Sequence, residues 1–333
     1  MKNLLYTFSL LIISCTTTTN HEILISNDGH TQGTTYNINY ISSNGIDYHN
    51  DIDSILNAIN QSLSTYMEKS IISKINRNES MQTDSIFTRV FDTAIKIANE
   101  TDGAFDPTIA PIVNFWGFGF ENIIEKNENT LKDLMQTVGY KKIKIKNNRV
   151  IKYNQNTQID FNAIAQGFTV DLIGEHFQKI GIKNYMIEIG GELKCLGRNA
   201  EGNLWRIGID KPNEKVQKNR FQAIIEVKNK AVASSGNYRK FKINKETGMK
   251  YAHTIDPKNG KPIQTDLLSV TVVTKSCMAA DAYATAFMVM GIDKSKSYLK
   301  NHPEIDALFI YSGDKGEWLQ YQTKGFKKMV VYR

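Results

Sequence analysis

The stretch from Ser269 to Gly291 constrains the fold of this chain more than any other, because its hydrophobic period changes midway. It begins with alternating β-branched residues, Val270 and Val272, and a period of two is typical of a strand. From Ala279 to Met290 it continues as an alanine-rich run with apolar residues at helical spacing. The segment therefore predicts a strand that passes directly into a helix.

Two polar side chains share one face of this helix near its start. Asp281 and Thr285 stand four residues apart, so they lie one above the other. A carboxylate and a hydroxyl are both hard oxygen donors, and together they suit a hard cation such as Mg²⁺. The alternative is that Asp281 only complements the helix dipole in the first turn. The helix alone does not decide between these interpretations.

The composition predicts one large domain or two closely joined ones. The 333 residues are 41% hydrophobic and include only 6 prolines, and no repeat or low-complexity tract is visible. The net charge of +7 comes from scattered lysines. The cluster Lys141–Lys146 alternates with isoleucine, which is typical of the solvent-facing side of an edge strand. We expect no nucleic-acid partner.

Residues 1–14 resemble a secretory signal. A short basic start precedes an apolar run, Leu4 to Ile13, that is too short to span a bilayer. The run ends in Ile12-Ile13-Ser14-Cys15, which resembles a bacterial lipoprotein signal with cleavage before Cys15 and lipid on its thiol. An ordinary secretory signal with an incidental cysteine is the alternative. We expect residues 15–22 to form a flexible leash and residues 23–333 to form a domain tethered outside the cytoplasm.

Cys195 and Cys277 remain if Cys15 is lipidated. An oxidising compartment would allow a bridge between them, but two cysteines so far apart in sequence do not establish one. Each is flanked by apolar residues, and this favours buried free thiols.

The rest of the chain carries both strand and helix patterns. We predict strands at Ile23–Ile25, Thr34–Ile41, Tyr185–Ile189, Trp205–Ile209, Ala307–Tyr311 and Met329–Tyr332, with another from Ala231 to a Ser/Gly turn. We predict a hairpin over Lys142–Tyr153 that turns at Asn147-Asn148. We predict helices at Asp51–Leu63, Ile71–Asn76, Phe87–Thr101 and Thr130–Val138, and one that follows Gly167 and runs through Phe177.

Three loops have compositions that suit a ligand. Residues 103–119 are rich in glycine and aromatic residues, which suits a flat ring system, although a buried loop packed for stability is the alternative. The turn Asp160–Gly167 enters a helix and offers free backbone N–H groups, as phosphate cradles do. The loop Tyr251–Gly260 combines His253 with an Asp-Pro turn. A lone histidine is more often structural than catalytic, but this one precedes a turn that must be tightly specified.

Together these segments resemble one family, the FAD:protein FMN transferases, also called ApbE-type flavin transferases. The resemblance runs from Gln32 to Gly291 and beyond, so it covers essentially the whole mature chain. The motifs, in family order, are Gly33-Thr34, Ser64-Thr65-Tyr66 with Ser70–Asn76, Gly103–Pro111, Asp160–Gly167, Gly190-Gly191-Glu192, Ser235-Gly236-Asn237-Tyr238, His253–Gly260, and Ala280-Asp281 to Thr285. The family fold is mixed and resembles the T-fold. We therefore expect one compact α+β unit with a smaller lobe over the flavin.

The resemblance implies a set of ligand contacts. Mg²⁺ would be held by the side chains of Asp281 and Thr285 and by the backbone carbonyl of Ala163. FAD, here a substrate, would be contacted by Gln32, Tyr66, Ala104, Phe105, Asp106, Gln166 and Ile255. Gln32 stands where the family often has Met, and Gln166 stands where it often has Lys or Glu. The exact phosphate or adenine contact at Gln166 therefore stays open.

The implied reaction joins FMN to a protein. A Ser or Thr hydroxyl of an acceptor protein attacks the FMN-side phosphorus of FAD and AMP leaves, with Mg²⁺ neutralising the charge on the leaving group. His253 and Asp256 are the candidate bases. We favour His253 because imidazole is neutral near pH 7, whereas Asp256 can equally serve to build its turn. Asp281 would be a poor base because a bound metal lowers its basicity.

Two other functions fit the same residues. One is Mg²⁺-dependent hydrolysis of FAD to FMN and AMP, with water in place of the acceptor hydroxyl. The other is a non-catalytic FAD-binding lipoprotein, which the presence of both Asp281 and Thr285 disfavours. Family acceptors carry an Asp-x-x-Ser/Thr-Gly-Ala-Thr/Ser segment and are often subunits of membrane redox complexes outside the cytoplasm. A lipid-tethered transferase fits that location.

Overall fold

The computed structural model describes residues 22–119, 126–213, 220–237, 241–243 and 250–332. The helices in these ranges are α1 (His49–Leu63), α2 (Ile71–Asn76), α3 (Ser85–Glu100), α4 (Ala110–Trp116), α5 (Glu128–Met135), α6 (Ala165–Lys179), α7 (Cys277–Lys300) and α8 (Lys324–Met329). The strands are β1 (Ile23–Thr31), β2 (Thr34–Ser42), β3 (Ile143–Lys146), β4 (Arg149–Lys152), β5 (Tyr185–Ile189), β6 (Glu192–Leu196), β7 (Trp205–Asp210), β8 (Phe221–Val227), β9 (Ala231–Gly236), β10 (Phe241–Ile243), β11 (Lys250–Ala252), β12 (Ile255–Asp256), β13 (Lys261–Pro262), β14 (Leu267–Thr274), β15 (Asp306–Ser312), β16 (Trp318–Gln322) and β17 (Val330–Tyr332).

One large sheet organises the described chain. Its eight strands follow the order β1-β2-β5-β6-β9-β14-β15-β16, and each neighbouring pair is antiparallel. The stretch that changes period supplies β14, which lies inside the sheet between β9 and β15. On the β9 side, Val270 pairs with Ser235 and Val273 pairs with Val232. The start of α7, which follows β14, is thereby placed near the middle of the sheet.

Helices cover one face of this sheet. Val270 and Val272 of β14 enter a core that also contains Phe168 of α6 and Phe287 of α7. A neighbouring cluster joins β2 and β5 to α1 and α6 through side chains such as Phe177. Because α6 packs against both α7 and the strands β5 and β6, it is held between the sheet and the helix that follows β14.

A second sheet, of order β17-β8-β7, covers the opposite face. Ile207 and Ile225 from this sheet form one cluster with Val273 of β14 and Phe326 of α8. Successive residues of β14 therefore enter opposite cores, as the alternation of a strand requires. With both faces covered, β14 is buried at every residue from Ser269 to Thr274.

α7 begins with a side-chain cap and is interrupted near its middle. Ser276 is the N-cap, and its Oγ accepts a hydrogen bond of 3.2 Å from the N–H of Ala279. At Gly291 the backbone leaves helical geometry, with φ 75° and ψ 172°. The long apolar stretch seen in the sequence therefore ends at a true break in the helix.

A smaller lobe is formed by α4, α5 and the β12–β13 hairpin. Ile112 of α4, Val138 after α5 and Ile255 of β12 are the buried members of its apolar cluster. The indole Nε1 of Trp116 donates a hydrogen bond of 2.7 Å to the carbonyl oxygen of Gly260, which fixes the hairpin to α4. The mixed α+β architecture predicted from the sequence is confirmed.

Residues 1–21 lie outside the described residues. The predicted signal at 1–14 and the predicted leash at 15–22, except for its last residue, therefore fall in this part. Tyr238 of the Ser235–Tyr238 motif also lies outside them. Within the ranges described, no helix has both the length and the apolar character needed to cross a membrane. Cys195 and Cys277 are both buried and free, which confirms the interpretation of buried free thiols.

Candidate active site

The first turns of α6 and α7 meet at Gly167, and this crossing positions Asp281. A Cβ built on Gly167 would stand 2.4 Å from the carbonyl oxygen of Cys277, so glycine is needed for the two backbones to come this close. The Gly167 N–H donates a hydrogen bond of 3.2 Å to Asp281 Oδ2. This N–H is one of the donors that a helix start leaves free. The turn predicted to cradle a phosphate thus contacts the carboxylate predicted to hold a metal.

Asp281 is a buried carboxylate, with only 7% of the residue exposed. Burial raises its pKa to about 7, and the hydrogen bond from Gly167 acts in the opposite direction. A carboxylate that has lost hydration gains most from a cation placed beside it, because the cation replaces the lost interaction with water. The electrostatics of Asp281 therefore suit a metal ligand.

Thr285 lies one turn after Asp281 on α7, and its hydroxyl meets the end of β9. Ser235 Oγ and Thr285 Oγ1 are 3.3 Å apart. Ser235 begins the motif that closes β9, so this contact ties the motif to the same face of α7 that carries Asp281.

The three oxygen donors predicted to hold Mg²⁺ are of types that fit a hard cation. Asp281 supplies a carboxylate, Thr285 a hydroxyl, and Ala163, in the turn before α6, a backbone carbonyl; all are ligand types that Mg²⁺ takes. No cluster of three or more His, Cys, Asp or Glu side chains suited to a metal occurs in the described part of the chain. A site with one carboxylate leaves positions for substrate phosphate oxygens, as Mg²⁺ sites commonly do.

Gln32 and Gln166 lie where α6 meets the ends of β2 and β5. Gln32 Nε2 donates a hydrogen bond of 2.6 Å to Thr169 Oγ1 on α6, while its Oε1 is buried without a hydrogen-bond partner. A Cβ at Gly190 would stand 3.0 Å from Gln166 Nε2, so the Gln166 amide lies directly over this glycine. A buried amide oxygen without a partner is costly, and a ligand that donates a hydrogen bond would remove that cost.

Asp106 is buried, and its carboxylate accepts hydrogen bonds from Thr108 in the same loop and from the backbone of Tyr140. Oδ1 accepts hydrogen bonds from the N–H and hydroxyl of Thr108 at 2.8 and 2.6 Å, and Oδ2 accepts one of 2.9 Å from the Tyr140 N–H. Burial raises the pKa of Asp106, and these bonds partly offset the rise. The side chains of Ala104 and Phe105 are buried as well. The side chains of this segment therefore build the loop, as the alternative interpretation expected, and a contact with FAD would be made by its backbone.

His253 is half-buried in the short connection between β11 and the β12–β13 hairpin. Its ring faces the ring of Phe118 nearly edge-on, with 6.4 Å between the centroids. The next residue, Thr254, donates a hydrogen bond of 2.7 Å from its hydroxyl to Asn237 Oδ1. We call the loop Tyr251–Gly260 the histidine loop. Since Asn237 follows β9, this bond links the histidine loop to the same strand end that meets Thr285.

Asp256 caps the turn that follows it. Oδ1 accepts from the Lys258 N–H at 2.9 Å, and Oδ2 accepts from Asn259 Nδ2 at 2.8 Å. Its carbonyl oxygen accepts from the Gly260 N–H at 2.8 Å. Because both carboxylate oxygens hold the turn, His253 is the stronger candidate for the base.

The two remaining predicted FAD contacts have opposite exposures. Ile255 is 5% exposed and packs within the small lobe, so a contact with FAD would be made by its backbone. Tyr66 lies between α1 and α2 and is 71% exposed. Its loop is fixed by Ser70, which donates a hydrogen bond of 2.6 Å to the Ser64 carbonyl.

A buried polar cluster next to the crossing was not singled out in the sequence. It consists of Asp171 on α6, Lys194 on β6 and Ser276 at the start of α7. Asp171 stands four residues after Gly167, so the two share one helix face. This four-residue spacing was the only feature of the local sequence that could have indicated Asp171.

Comparison with known proteins gives the class to which this fold and site belong. The model of the ApbE family matches residues 32–309. The chain is 37% identical over 312 residues to the FAD:protein FMN transferase of Vibrio cholerae, an alignment that covers 91% of each chain. It is 35% identical to the FAD:protein FMN transferase of Haemophilus influenzae, with 92% of each chain covered.

Solved structures agree with the sequence relatives. The flavin transferase ApbE from Vibrio cholerae superposes with a TM-score of 0.83 at 36% identity and covers 92% of this chain and 99% of its own. The apo flavinyl transferase ApbE from Pseudomonas stutzeri gives a TM-score of 0.82 at 30% identity, with 92% and 97% covered. The chain belongs to the ApbE family, which confirms the resemblance drawn from its motifs.

Proposed function

We propose that this chain is a Mg²⁺-dependent FAD:protein FMN transferase, which moves FMN from FAD to a Ser or Thr hydroxyl of an acceptor protein and releases AMP. The α6–α7 crossing carries the proposal: the buried carboxylate of Asp281 meets the Gly167 N–H and lies one turn from Thr285. The name shared by the relatives, FAD:protein FMN transferase, supports the same reaction.

The metal ligands are Asp281, Thr285 and the carbonyl of Ala163. When bound, Mg²⁺ neutralises charge on the pyrophosphate and on the leaving AMP. Neighbouring groups orient the two side-chain ligands: the Gly167 N–H donates to Asp281 Oδ2, and Ser235 Oγ lies 3.3 Å from Thr285 Oγ1. The start of α6 adds positive potential where the phosphates bind.

His253 takes the proton of the attacking hydroxyl. The acceptor oxygen forms a bond to the FMN-side phosphorus, and the bond from that phosphorus to the bridging oxygen breaks, so AMP leaves with the bridging oxygen. Phe118 and the Thr254–Asn237 hydrogen bond hold the histidine loop in place. Asp256 shapes the turn and keeps its carboxylate within it.

The flavin nucleotide is bound by residues around the large sheet and by residues of the smaller lobe. Gln32 and Gln166 supply amide groups beside α6, and Tyr66 supplies an exposed ring for stacking. The segment Ala104–Asp106 and Ile255 contribute backbone groups, because their side chains are buried.

We place the enzyme outside the cytoplasm on a bacterial membrane. The lipoprotein-like sequence ending at Cys15 supports a lipid anchor there. The acceptor is a protein with an Asp-x-x-Ser/Thr-Gly-Ala-Thr/Ser segment, and a subunit of a membrane redox complex fits that position.

The test incubates the purified protein with FAD, MgCl₂ and a folded acceptor domain that carries this segment. We expect AMP release together with flavin that stays on the acceptor through denaturing electrophoresis. Asp281→Asn should lower transfer by at least about 100-fold, because a Lewis acid contributes several kcal/mol. Its melting temperature in EDTA should not fall, since asparagine keeps an acceptor for the Gly167 N–H and removes a buried charge. Asp53→Asn, a half-exposed carboxylate on α1, is the matched control.

Two results would contradict the transferase. AMP with free FMN, in the same amount with or without acceptor, would make the protein an FAD hydrolase. Tight FAD binding with no AMP release would make it a non-catalytic flavin-binding protein.

A further inference from the structure

Asp171 joins three elements around the start of α7. Its Oδ1 accepts a hydrogen bond of 2.7 Å from Lys194 Nζ on β6. Its Oδ2 accepts one of 2.7 Å from the hydroxyl of Ser276, the N-cap of α7, and one of 3.0 Å from the Met278 N–H in the first turn. With 5% of the residue exposed, Asp171 is almost fully withdrawn from water.

These bonds complete a reciprocal connection between α6 and α7. The Gly167 N–H of α6 donates to Asp281 of α7, and the Met278 N–H of α7 donates to Asp171 of α6. Gly167 and Asp171 are four residues apart and share one face of α6, so the two bonds lie one turn apart along the crossing. Two such bonds fix both the separation of the helices and the rotation of α7 about its own axis.

The rotation of α7 decides where Asp281 and Thr285 point. Both stand on one face of that helix, and Asp281 is the residue one turn beyond Met278. A small rotation would move the Asp281 carboxylate away from the Gly167 N–H. Side chains that orient metal ligands in this way change metal affinity by about 10- to 100-fold when they are altered.

Lys194 keeps Asp171 in this role. Its ammonium lies 2.7 Å from the Asp171 carboxylate and neutralises it inside the protein. A carboxylate paired in this way accepts hydrogen bonds from the start of α7 without leaving an uncompensated buried charge. We propose that Asp171, supported by Lys194, is a positioning residue that sets the Mg²⁺ affinity of the site by fixing the start of α7. The inference rests on the proposed function, because it concerns the metal of that site.

The test measures melting temperature against MgCl₂ concentration, in the presence of FAD, for the full chain and its variants. Because the stabilisation by a bound ligand grows as RT ln(1 + [L]/Kd), the Kd fitted to this curve is taken as the Mg²⁺ midpoint. In Asp171→Asn, we expect this midpoint to increase by at least tenfold. AMP release should show the same shift in Mg²⁺ dependence, while the rate at saturating MgCl₂ stays within about threefold of the native rate. The single change leaves the Lys194 ammonium without its partner carboxylate. The double variant Asp171→Asn/Lys194→Met removes that charge, so it replaces the single variant in the test if the single variant does not fold. We expect the same shift from it.

Asp306 provides a matched control that holds the start of a different helix, α8. It is also a buried carboxylate, 7% exposed, paired with a lysine, Lys230, at 2.8 Å. It also accepts from the N-cap of a helix, through the Thr323 hydroxyl of α8 at 3.0 Å. Asp306→Asn should lower the melting temperature without moving the Mg²⁺ midpoint.

The outcomes separate the inference from the function on which it rests. A native protein that shows no Mg²⁺ response would overturn both the metal site and the role of Asp171. A native protein that responds, with Asp171→Asn and the double variant both within twofold of its midpoint, would overturn the role of Asp171 alone.

Discussion

At Gly167 the absence of a side chain allows α6 and α7 to come into contact, and the N–H of the same residue faces the Asp281 carboxylate. The site needs two helix starts in contact, and any Cβ at this position would occupy the place of the Cys277 carbonyl. The same residue supplies the N–H that orients Asp281. One position therefore sets both the spacing of the helices and the direction of the Asp281 carboxylate.

Gly167→Ala tests this close approach. The added methyl group would stand 2.4 Å from the Cys277 oxygen, so α6 and α7 must separate. We expect the free energy of unfolding in EDTA to fall by about 1–3 kcal/mol, as for other overpacked positions, and AMP release to fall strongly. Urea unfolding and AMP release measure the two effects, and a variant as stable and active as the native protein would refute the argument.

Gly174→Ala is the control on the same helix. Its Cβ would stand 2.8 Å from the Tyr185 hydroxyl, so it also causes a clash. It lies two turns beyond Gly167, roughly 10 Å along the helix. We expect lower stability with transfer retained.

Residue roles could be predicted from the sequence where the contacts are local. Asp281 and Thr285 could be paired as candidates because helical spacing places them on one face. Asp171 was missed because its partners Lys194 and Met278 are 23 and 107 positions away, and only the fold brings them together. The turn-building role of Asp256 was among the alternatives, since its bonds reach only a few residues along the chain.

Among the elements, the β3–β4 hairpin shows both the strength and the limit of sequence patterns. Asn147 and Asn148 have φ of 52° and 56°, as expected for a two-residue turn. Lys144 and Lys146 are exposed, as the alternation with isoleucine predicted. Lys152 breaks the pattern: it is 7% exposed, and its Nζ donates to the Asn76 carbonyl at 3.3 Å and to Asn78 Oδ1 at 3.1 Å.

Lys152 gives the stability a pH dependence. Burial lowers its pKa from 10.5 to about 8, so between these values the folded protein binds fewer protons than the unfolded chain. Raising the pH from 7 to 10.5 therefore stabilises the native protein relative to Lys152→Met, by about 1–3 kcal/mol. Urea unfolding of both proteins at several pH values measures this difference, in which other titrating groups cancel. A difference that stays constant with pH would contradict a buried ammonium.

Strand lengths were harder to predict than strand positions. β1 was predicted for Ile23–Ile25, yet it extends to Thr31 in full register with β2. Its second half, with Asn27, Asp28 and Gly29, has the composition of a turn. Pairing with β2 overrides that preference, and the ring of Tyr36 covers the bare Gly29.

On the scale of the whole molecule, the small lobe is joined to the body through the histidine loop. The loop is held on one side by the Trp116–Gly260 hydrogen bond and on the other by the Thr254–Asn237 hydrogen bond. Lys258 adds an ion pair with Asp102, the residue after the C-cap of α3. The position of His253 relative to Asp281 thus depends on how the lobe is seated.

Trp116→Phe tests this seating. The change keeps an apolar ring and removes the N–H that reaches Gly260, so we expect about 1 kcal/mol lower stability and a several-fold lower kcat/KM for FAD. Trp205→Phe is a matched control, because its Nε1 also donates to a backbone carbonyl, that of Leu196 at 3.1 Å, in the opposite core. Equal losses of transfer in both variants would show that the lobe contact has no special role.

The place of β14 in the sheet has a consequence for the newly made chain. β9 is synthesised before β14, at about 5–20 residues per second. During this interval the edge of β9 that pairs with β14 has no partner strand. An open strand edge invites pairing with other chains, so this interval is when a chaperone is most useful. Asp281 and Thr285, the two side chains that would hold the metal, arrive with α7 directly after β14, whereas Ala163 arrives earlier. A nascent chain therefore lacks both side chains of the proposed metal site for as long as the edge of β9 is open, so the site can form only after β14 has been made.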